Sequence, residues 1–419
     1  MLIRLLYTLL LFLVSPVLLF GLYKSKPNKP KFGGRWQEHF GLTPALEVRG
    51  NPLWIHAVSV GECVAAIPLI RELKRQRPQQ NIVVTTTTST GAAQIEQLGH
   101  LVEHRYMPVD FAFAVRGFLR AIQPSQLLII ETELWPNTLY AVHRSGVPVT
   151  VVNARLSEKS RKNYARIQPL FNLMHPCMDK ILCQSQADAE RFEQLGVHAD
   201  KLFVTGSIKF DIQISDSTIN RAHELRGKLG PSRPVWIAAS THRGEDEIIL
   251  DAHTSLLKAH PDALLIIVPR HPERFDSVYQ SCCSQGFVTI RRTHAQHNVI
   301  DSQVYLADTM GEMLVLIGCS DVCFMGGSLC GDKVGGHNVL EPAALGKPII
   351  TGPSYFNFKE SVDAISSLGA IEIINDASQL ARSLISILED SDQQLLHKQL
   401  LLDFVSNNSG AKAKVVAHI

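Results

Sequence analysis

Short runs of β-branched and other apolar residues recur along this chain, each followed by a stretch of helical composition, and this alternation restricts the fold more than any other feature. Leu53–Val58, Ile82–Thr87, Leu127–Ile130, Val147–Asn153 and Lys180–Cys183 form a first set; Val235–Ala239, Leu264–Val268, Val304–Ala307, Val322–Met325 and Pro348–Thr351 form a second. Buried strands alternating with helices are the pattern of parallel sheets covered by helices. A chain of 419 residues also exceeds what one core ordinarily holds. The polar stretch Asp211–Asn220 separates the two sets, and Pro231 and Pro234 lead into the next strand. The expectation is two doubly wound α/β domains, residues 24–213 and 214–419, with a hinge between them. Chemistry is expected in the loops after the strands, because such sheets bind ligands at the strands' carboxyl ends, here in a cleft lined by both sets.

Residues 1–23 are read as a membrane anchor. Leu5–Tyr23 is almost uninterrupted Leu, Val, Phe and Ile, about the 20 residues one helix needs to cross hydrocarbon. Lys24, Lys26, Lys29, Lys31 and Arg35 follow it, and the positive-inside bias puts the rest of the chain on the cytoplasmic side. No small-x-small cleavage site follows the apolar run, so a retained anchor is preferred to a cleaved signal. Pro16 is expected to kink the helix. The sequence leaves open whether it spans the membrane or lies in its interface.

Hydrophobic residues at 45% and charged residues at 19% exclude a disordered or collagen-like chain. A formal net charge of +2 gives no support to a nucleic-acid binder. The 8 cysteines lack paired CxxC spacing and are read as reduced, mostly buried thiols. Cys319 and Cys323 stand four apart, but the segment around Cys323 reads as a buried strand and not as a metal site. The 17 histidines show no HExxH spacing, and no DxD-like pair suits a sugar-phosphate metal. Metal-independent chemistry is expected, with no cofactor.

In the second half, Phe324-Met-Gly-Gly-Ser-Leu329 and Gly335-Gly-His-Asn-Val-Leu-Glu341 end a strand and open a helix. Free amides there suit a nucleotide phosphate, and Glu341 is placed to accept hydrogen bonds from ribose hydroxyls. Arg270, His271 and Arg274 crowd the loop after Val268-Pro269; such a cluster can bind phosphate or carboxylate, and equally suits a solvated loop. Glu312, at another loop-to-helix turn, suits a cap better than a ligand.

In the first half, Glu62 falls just past a strand in a glycine-containing loop that opens a helix. A carboxylate held there can take a proton from an acceptor hydroxyl, although the helix dipole alone explains a carboxylate at that position. Glu131 and Glu133 repeat the arrangement after Leu127–Ile130. Lys209, beside the hinge, is placed to neutralise a developing negative charge or the carboxylate of an acidic sugar.

Together, Ser59-Val-Gly-Glu62, Glu131-Thr-Glu-Leu-Trp-Pro-Asn137, Asn153-Ala-Arg-Leu-Ser157, Thr205-Gly-Ser-Ile-Lys-Phe-Asp211, Ser240-Thr-His-Arg-Gly-Glu245, Val268-Pro-Arg-His-Pro-Glu-Arg274, Asp308-Thr-Met-Gly-Glu312 and Gly335-Gly-His-Asn338 resemble the motifs of the 3-deoxy-D-manno-octulosonic acid (Kdo) transferases, glycosyltransferase family 30. The resemblance runs from the anchor to about Lys359. It implies a GT-B fold, with CMP-Kdo as donor, a lipid A precursor (lipid IVA) as acceptor, inversion at the anomeric carbon and no metal. It further implies a bacterial inner-membrane location with the catalytic domains on the cytoplasmic side. By the same route Glu62 is the general base, with Glu131 and Lys209 supporting the transition state. CMP is then expected against Pro269 and Arg270, against Met310, Gly311 and Glu312, and against Asn338, Val339, Leu340 and Glu341. Two other readings stay open: a GT-B transferase using a UDP-sugar, and a catalytically silent membrane-surface binding protein on the same fold.

Overall fold

The computed structural model describes residues 2–24, 30–47, 50–212, 214–294 and 299–419. Lys26 and Lys29 of the basic flank lie outside these residues. The chain forms two compact units, Met1–Asp211 with Ser409–Ile419, and Ile212–Asn408.

The first unit is built on a seven-stranded parallel sheet: β1 (Leu53–His56), β2 (Ile82–Thr86), β3 (Glu103–Tyr106), β4 (Gln126–Ile130), β5 (Val149–Ala154), β6 (Lys180–Cys183) and β7 (Leu202–Val204), in the spatial order β3-β2-β1-β4-β5-β6-β7. Leu53 of β1 stands opposite both Ile82 and Gln126. Successive side chains point to opposite faces, so Trp54 packs in one core with Phe118 and Leu139, while Ile55 packs in another with Leu69 and Ile70. Burial on both faces is why these strands read as unbroken apolar runs.

The second unit repeats the design with β8 (Val235–Thr241), β9 (Leu264–Pro269), β10 (Thr289–Arg291), β11 (Val304–Leu306), β12 (Val322–Met325), β13 (Ile349–Thr351) and β14 (Ile371–Ile373), again all parallel, in the order β10-β11-β9-β8-β12-β13-β14. In each sheet the connection reverses direction once, between β1 and β4 and between β8 and β12. At these points the loops diverge to opposite faces and leave a crevice at the strands' carboxyl ends.

The expected assignment of residues 214–419 to one domain is corrected at the carboxyl end. The helix Ala411–His418 belongs to the first unit, because Ala411, Val415 and Val416 fill the core beside Leu69 and Ile70. The Asp211 carboxylate accepts from the amides of Gly410 and Lys412, and Lys180 donates to the His418 carbonyl at 2.7 Å. The chain passes into the second unit between Asp211 and Ile212.

The apolar amino-terminal segment is a helix, Leu2–Tyr23, continuous through Pro16. Proline lacks the N–H that would bond the Phe12 carbonyl one turn back, and the Ser15 hydroxyl donates to that carbonyl instead, at 2.8 Å.

Candidate functional site

In the first unit the site is built at the β1/β4 reversal. Ser59 caps the helix Val60–Gln76, accepting from the Glu62 amide, and Glu62 folds back. Its carboxylate accepts from the Val58 amide at 2.6 Å and from the Ser59 hydroxyl at 2.9 Å. This Ser-x-x-Glu box orients the carboxylate, and a carboxylate with several lone-pair sites still has acceptor capacity for a substrate proton. Burial pushes the Glu62 pKa up to about 7. Repulsion from Glu133 and Glu131 adds to the rise, against the two hydrogen bonds. A base poised near neutrality is suited to deprotonating a hydroxyl.

Glu131 follows β4 with φ = 61°, a left-handed backbone that only glycine adopts freely. Its Oε1 lies 2.7 Å from Lys209 Nζ. Asn153, at the end of neighbouring β5, is also left-handed (φ = 58°) and is fully buried. Its Oδ1 accepts from the Ile208 amide at 3.1 Å, which fixes the short turn that presents Lys209. Two strained residues at the carboxyl ends of adjacent strands, each held by its surroundings, are the kind of stored strain that clusters at functional sites. The structure thus brings Glu62, Glu131, Glu133 and Lys209 into one electrostatic group.

In the second unit the residues expected to contact a nucleotide lie at the end of β9 and after β9, β11 and β12. Arg270 is exposed, and among the described residues no hydrogen bond or ion pair holds its guanidinium; its charge reaches Glu341 and His337. Glu341 accepts from the Asn338 side-chain amide at 3.2 Å, and burial raises its pKa.

Several expectations are corrected here. Arg274 is not free for an anion: it pairs with Asp246 and donates to the Thr241 carbonyl at 2.6 Å. Glu312 does not cap its helix but is gripped by Arg292, at 2.6 and 2.9 Å, and by Arg221; the Arg292 hydrogen bonds foremost hold its pKa down. The side chains of Val339 and Leu340 are buried in the core, so only their backbone is available to a ligand. The amides of the glycine turns are not all free. The Leu340 amide is taken by Asn338 Oδ1 at 3.2 Å, and Glu245 occupies the amides after β12.

Glu245 is a residue whose role the sequence does not reveal. Fully buried, it accepts from the amides of His242 and Gly327 at 2.8 Å and of Ser328 and Leu329 at 3.0 Å. This ties the β8 loop to the β12 loop across the reversal. A side chain at Gly326 would meet the Ser240 carbonyl at 2.9 Å, which explains the glycine at this close approach. His242 Nε2 lies 2.8 Å from His337 Nε2, with the rings stacked. Burial lowers the pKa of His242 to about 4 and of His337 to about 3; the neighbouring His271 and Arg270 charges act in the same direction. These partners stand far apart in sequence, and no local spacing signals them.

A family model described as 3-deoxy-D-manno-octulosonic-acid transferase (kdotransferase) matches residues 34–212. The chain is 36% identical over 416 residues to the 3-deoxy-D-manno-octulosonic acid transferase of Haemophilus influenzae, covering 99% of this chain and 97% of that one. It is 34% identical over 412 residues to the protein of the same name from Bordetella pertussis, covering 93% and 92%. Among solved structures, a UDP-GlcNAc 2-epimerase from Neisseria meningitidis superposes with a TM-score of 0.55 at 13% identity, over 88% of this chain and 99% of that one. That likeness concerns the fold alone, the GT-B type with two Rossmann-like units.

Proposed function

The chain belongs to the family of 3-deoxy-D-manno-octulosonic acid transferases, and from that premise we propose that it transfers Kdo from CMP-Kdo to a lipid A precursor, lipid IVA, at the cytoplasmic face of a bacterial inner membrane. Glu62 takes the proton of the acceptor hydroxyl, whose oxygen attacks the anomeric carbon of Kdo. The new glycosidic bond forms as the bond to the CMP phosphate breaks, with inversion. Lys209, paired with Glu131, faces the carboxylate of the acidic sugar. Arg270, the backbone of Met310–Glu312 and the Asn338–Glu341 turn receive the nucleotide, so that the phosphate's charge is met by a guanidinium and amides with no metal required.

The observation that carries this reading is Glu62 itself: a buried carboxylate at a topological switch point, oriented by two hydrogen bonds, with its pKa near 7. The test is transfer from CMP-Kdo to tetra-acylated lipid A precursor, followed by product mass, for wild type and Glu62→Gln in parallel. A mass gain of one or more Kdo units that disappears in the variant is the expected result. Transfer from a UDP-sugar instead overturns the donor. A folded wild type inactive with either donor favours the silent binding protein.

A further inference from the structure

Along the helix Leu2–Tyr23 the partly buried residues are Arg4, Tyr7, Thr8, Leu11, Ser15, Leu19, Leu22 and Tyr23. Their spacing of three and four is one continuous helical face. The polar side chains of the helix, Arg4, Tyr7, Thr8, Ser15 and Tyr23, all lie on it. At one end this face is fastened to the first unit. The Tyr7 hydroxyl donates to Asp110 Oδ2 at 2.9 Å, the Asn137 amide group donates to the Thr8 hydroxyl at 3.0 Å, and the Arg4 guanidinium sits 3.6 Å from the Tyr140 ring centroid. Asp110 is itself buried, and it accepts from the amides of Asn137 and Thr138 at the start of the helix Pro136–Arg144. Tyr7 therefore completes a network that belongs to the unit's interior. At the other end the Tyr23 hydroxyl lies 2.7 Å from His39 Nδ1, and its ring packs edge-on against Phe32 and His39.

Twenty-two residues span about 33 Å at 1.5 Å per residue, so both ends of a membrane-length helix are bound to one face of the same globular unit. A helix crossing the bilayer would put these two anchorages on opposite sides of about 30 Å of hydrocarbon, or drag the intervening polar surface into it. The opposite face carries Leu6, Leu9, Leu10, Leu13, Val17 and Phe20, all exposed. Exposed Lys24, Lys31 and Trp36 follow the helix, a charge and an amphipathic ring suited to anionic headgroups.

We propose that this helix does not span the membrane: it lies in the plane of one leaflet, docked lengthwise on the first unit, with its outer apolar face in the lipid. The depth expected for such a helix is about 5–10 Å into the boundary between headgroups and acyl chains. The proposal goes beyond the transfer reading and does not depend on it, since it rests on the docking contacts and reads out without catalysis.

Leu6, Leu13 and Phe20 stand seven apart on the exposed face. Leu6→Trp, Leu13→Trp and Phe20→Trp, each in the full-length protein bound to phosphatidylethanolamine–phosphatidylglycerol vesicles, report depth through quenching by lipids brominated at shallow or deep acyl positions, over the wild-type background. Equal quenching at the three positions, strongest with shallow bromines, is the result expected. Deep-bromine quenching that peaks at position 13 and falls at 6 and 20 overturns the proposal in favour of a spanning helix. Absence of quenching at all three overturns it in favour of a protein cover, such as a second copy of the chain. Kdo transfer to detergent-dispersed acceptor, measured separately, distinguishes either outcome from failure of the transferase reading.

Discussion

Lys209 Nζ lies 2.7 Å from Glu131 Oε1, and the lysine sets a positive charge among the acidic residues gathered at the β1/β4 reversal. Glu131 and Glu133 both push the Glu62 pKa upward. Removing the lysine leaves Glu131 uncompensated, and a carboxylate surrounded by negative charge binds its proton more tightly. For Lys209→Met we expect kcat to fall roughly 100-fold and the acidic limb of the pH–rate profile to move to higher pH. An unchanged limb with an unchanged kcat removes Lys209 from the reaction.

The Glu62 carboxyl, with its pKa at about 7 in the fold against an ordinary 4.5, is protonated below neutrality and inactive as a base there. Activity should therefore rise with pH through about 7 and level off above it. The same shift makes the folded state bind the proton more tightly than the unfolded chain. Its contribution to stability is thus present below 4.5 and lost as pH rises through 7. In Glu62→Gln, residual transfer should be about 10²–10⁴-fold slower and flat across this range. A sloping profile in that variant assigns the titration to another group.

Arg270 and Arg274 share a loop but differ in their surroundings, and their variants should separate. Arg270 is exposed and its guanidinium has no partner among the described residues, so Arg270→Ala is expected to raise the KM for the nucleotide donor and leave thermal stability within about 0.5 kcal/mol. Arg274→Ala strands the largely buried Asp246 and should cost about 2–4 kcal/mol of stability. Equal effects of both on KM, with no difference in unfolding, would show that the loop acts as one anion site.

Glu245 accepts amide hydrogen bonds from both loops of the β8/β12 reversal while fully buried. Glu245→Ala leaves those donors without a partner, and about 3–5 kcal/mol of stability should go with it. Denaturant unfolding measures the loss. Glu245→Gln, which keeps one acceptor oxygen, should recover part of it. A Glu245→Ala variant as stable as the wild type shows that water replaces the carboxylate.

Sequence and tertiary structure divide the account of this protein along a physical line. The central strands were legible: Lys180–Cys183 and Val322–Met325 coincide with β6 and β12, and every expected run became a strand. Burial on both faces demands unbroken apolar residues, and that demand is written locally. The strands that composition does not reveal are β3, β7, β10 and β14, the edges of the two sheets. Glu103-His-Arg-Tyr106 and Thr289-Ile-Arg291 are short and only partly buried, so nothing forces them to be apolar. Glu62 and Glu131 were likewise candidates in the sequence, one opening a helix and the other following a strand, whereas Lys209, inside the short turn Ile208–Phe210, was a candidate by its place beside the hinge and by the family resemblance. What only tertiary structure decided are the pairings between distant loops. These are Glu131 with Lys209, Glu245 with the turn after β12, His242 with His337, Arg274 with Asp246, the last helix with the first unit's core, and Tyr7 with Asp110. A hydrogen bond between residues a hundred positions apart leaves no periodicity in the chain. It exists only once the parallel sheets have carried the strand ends to the same edge.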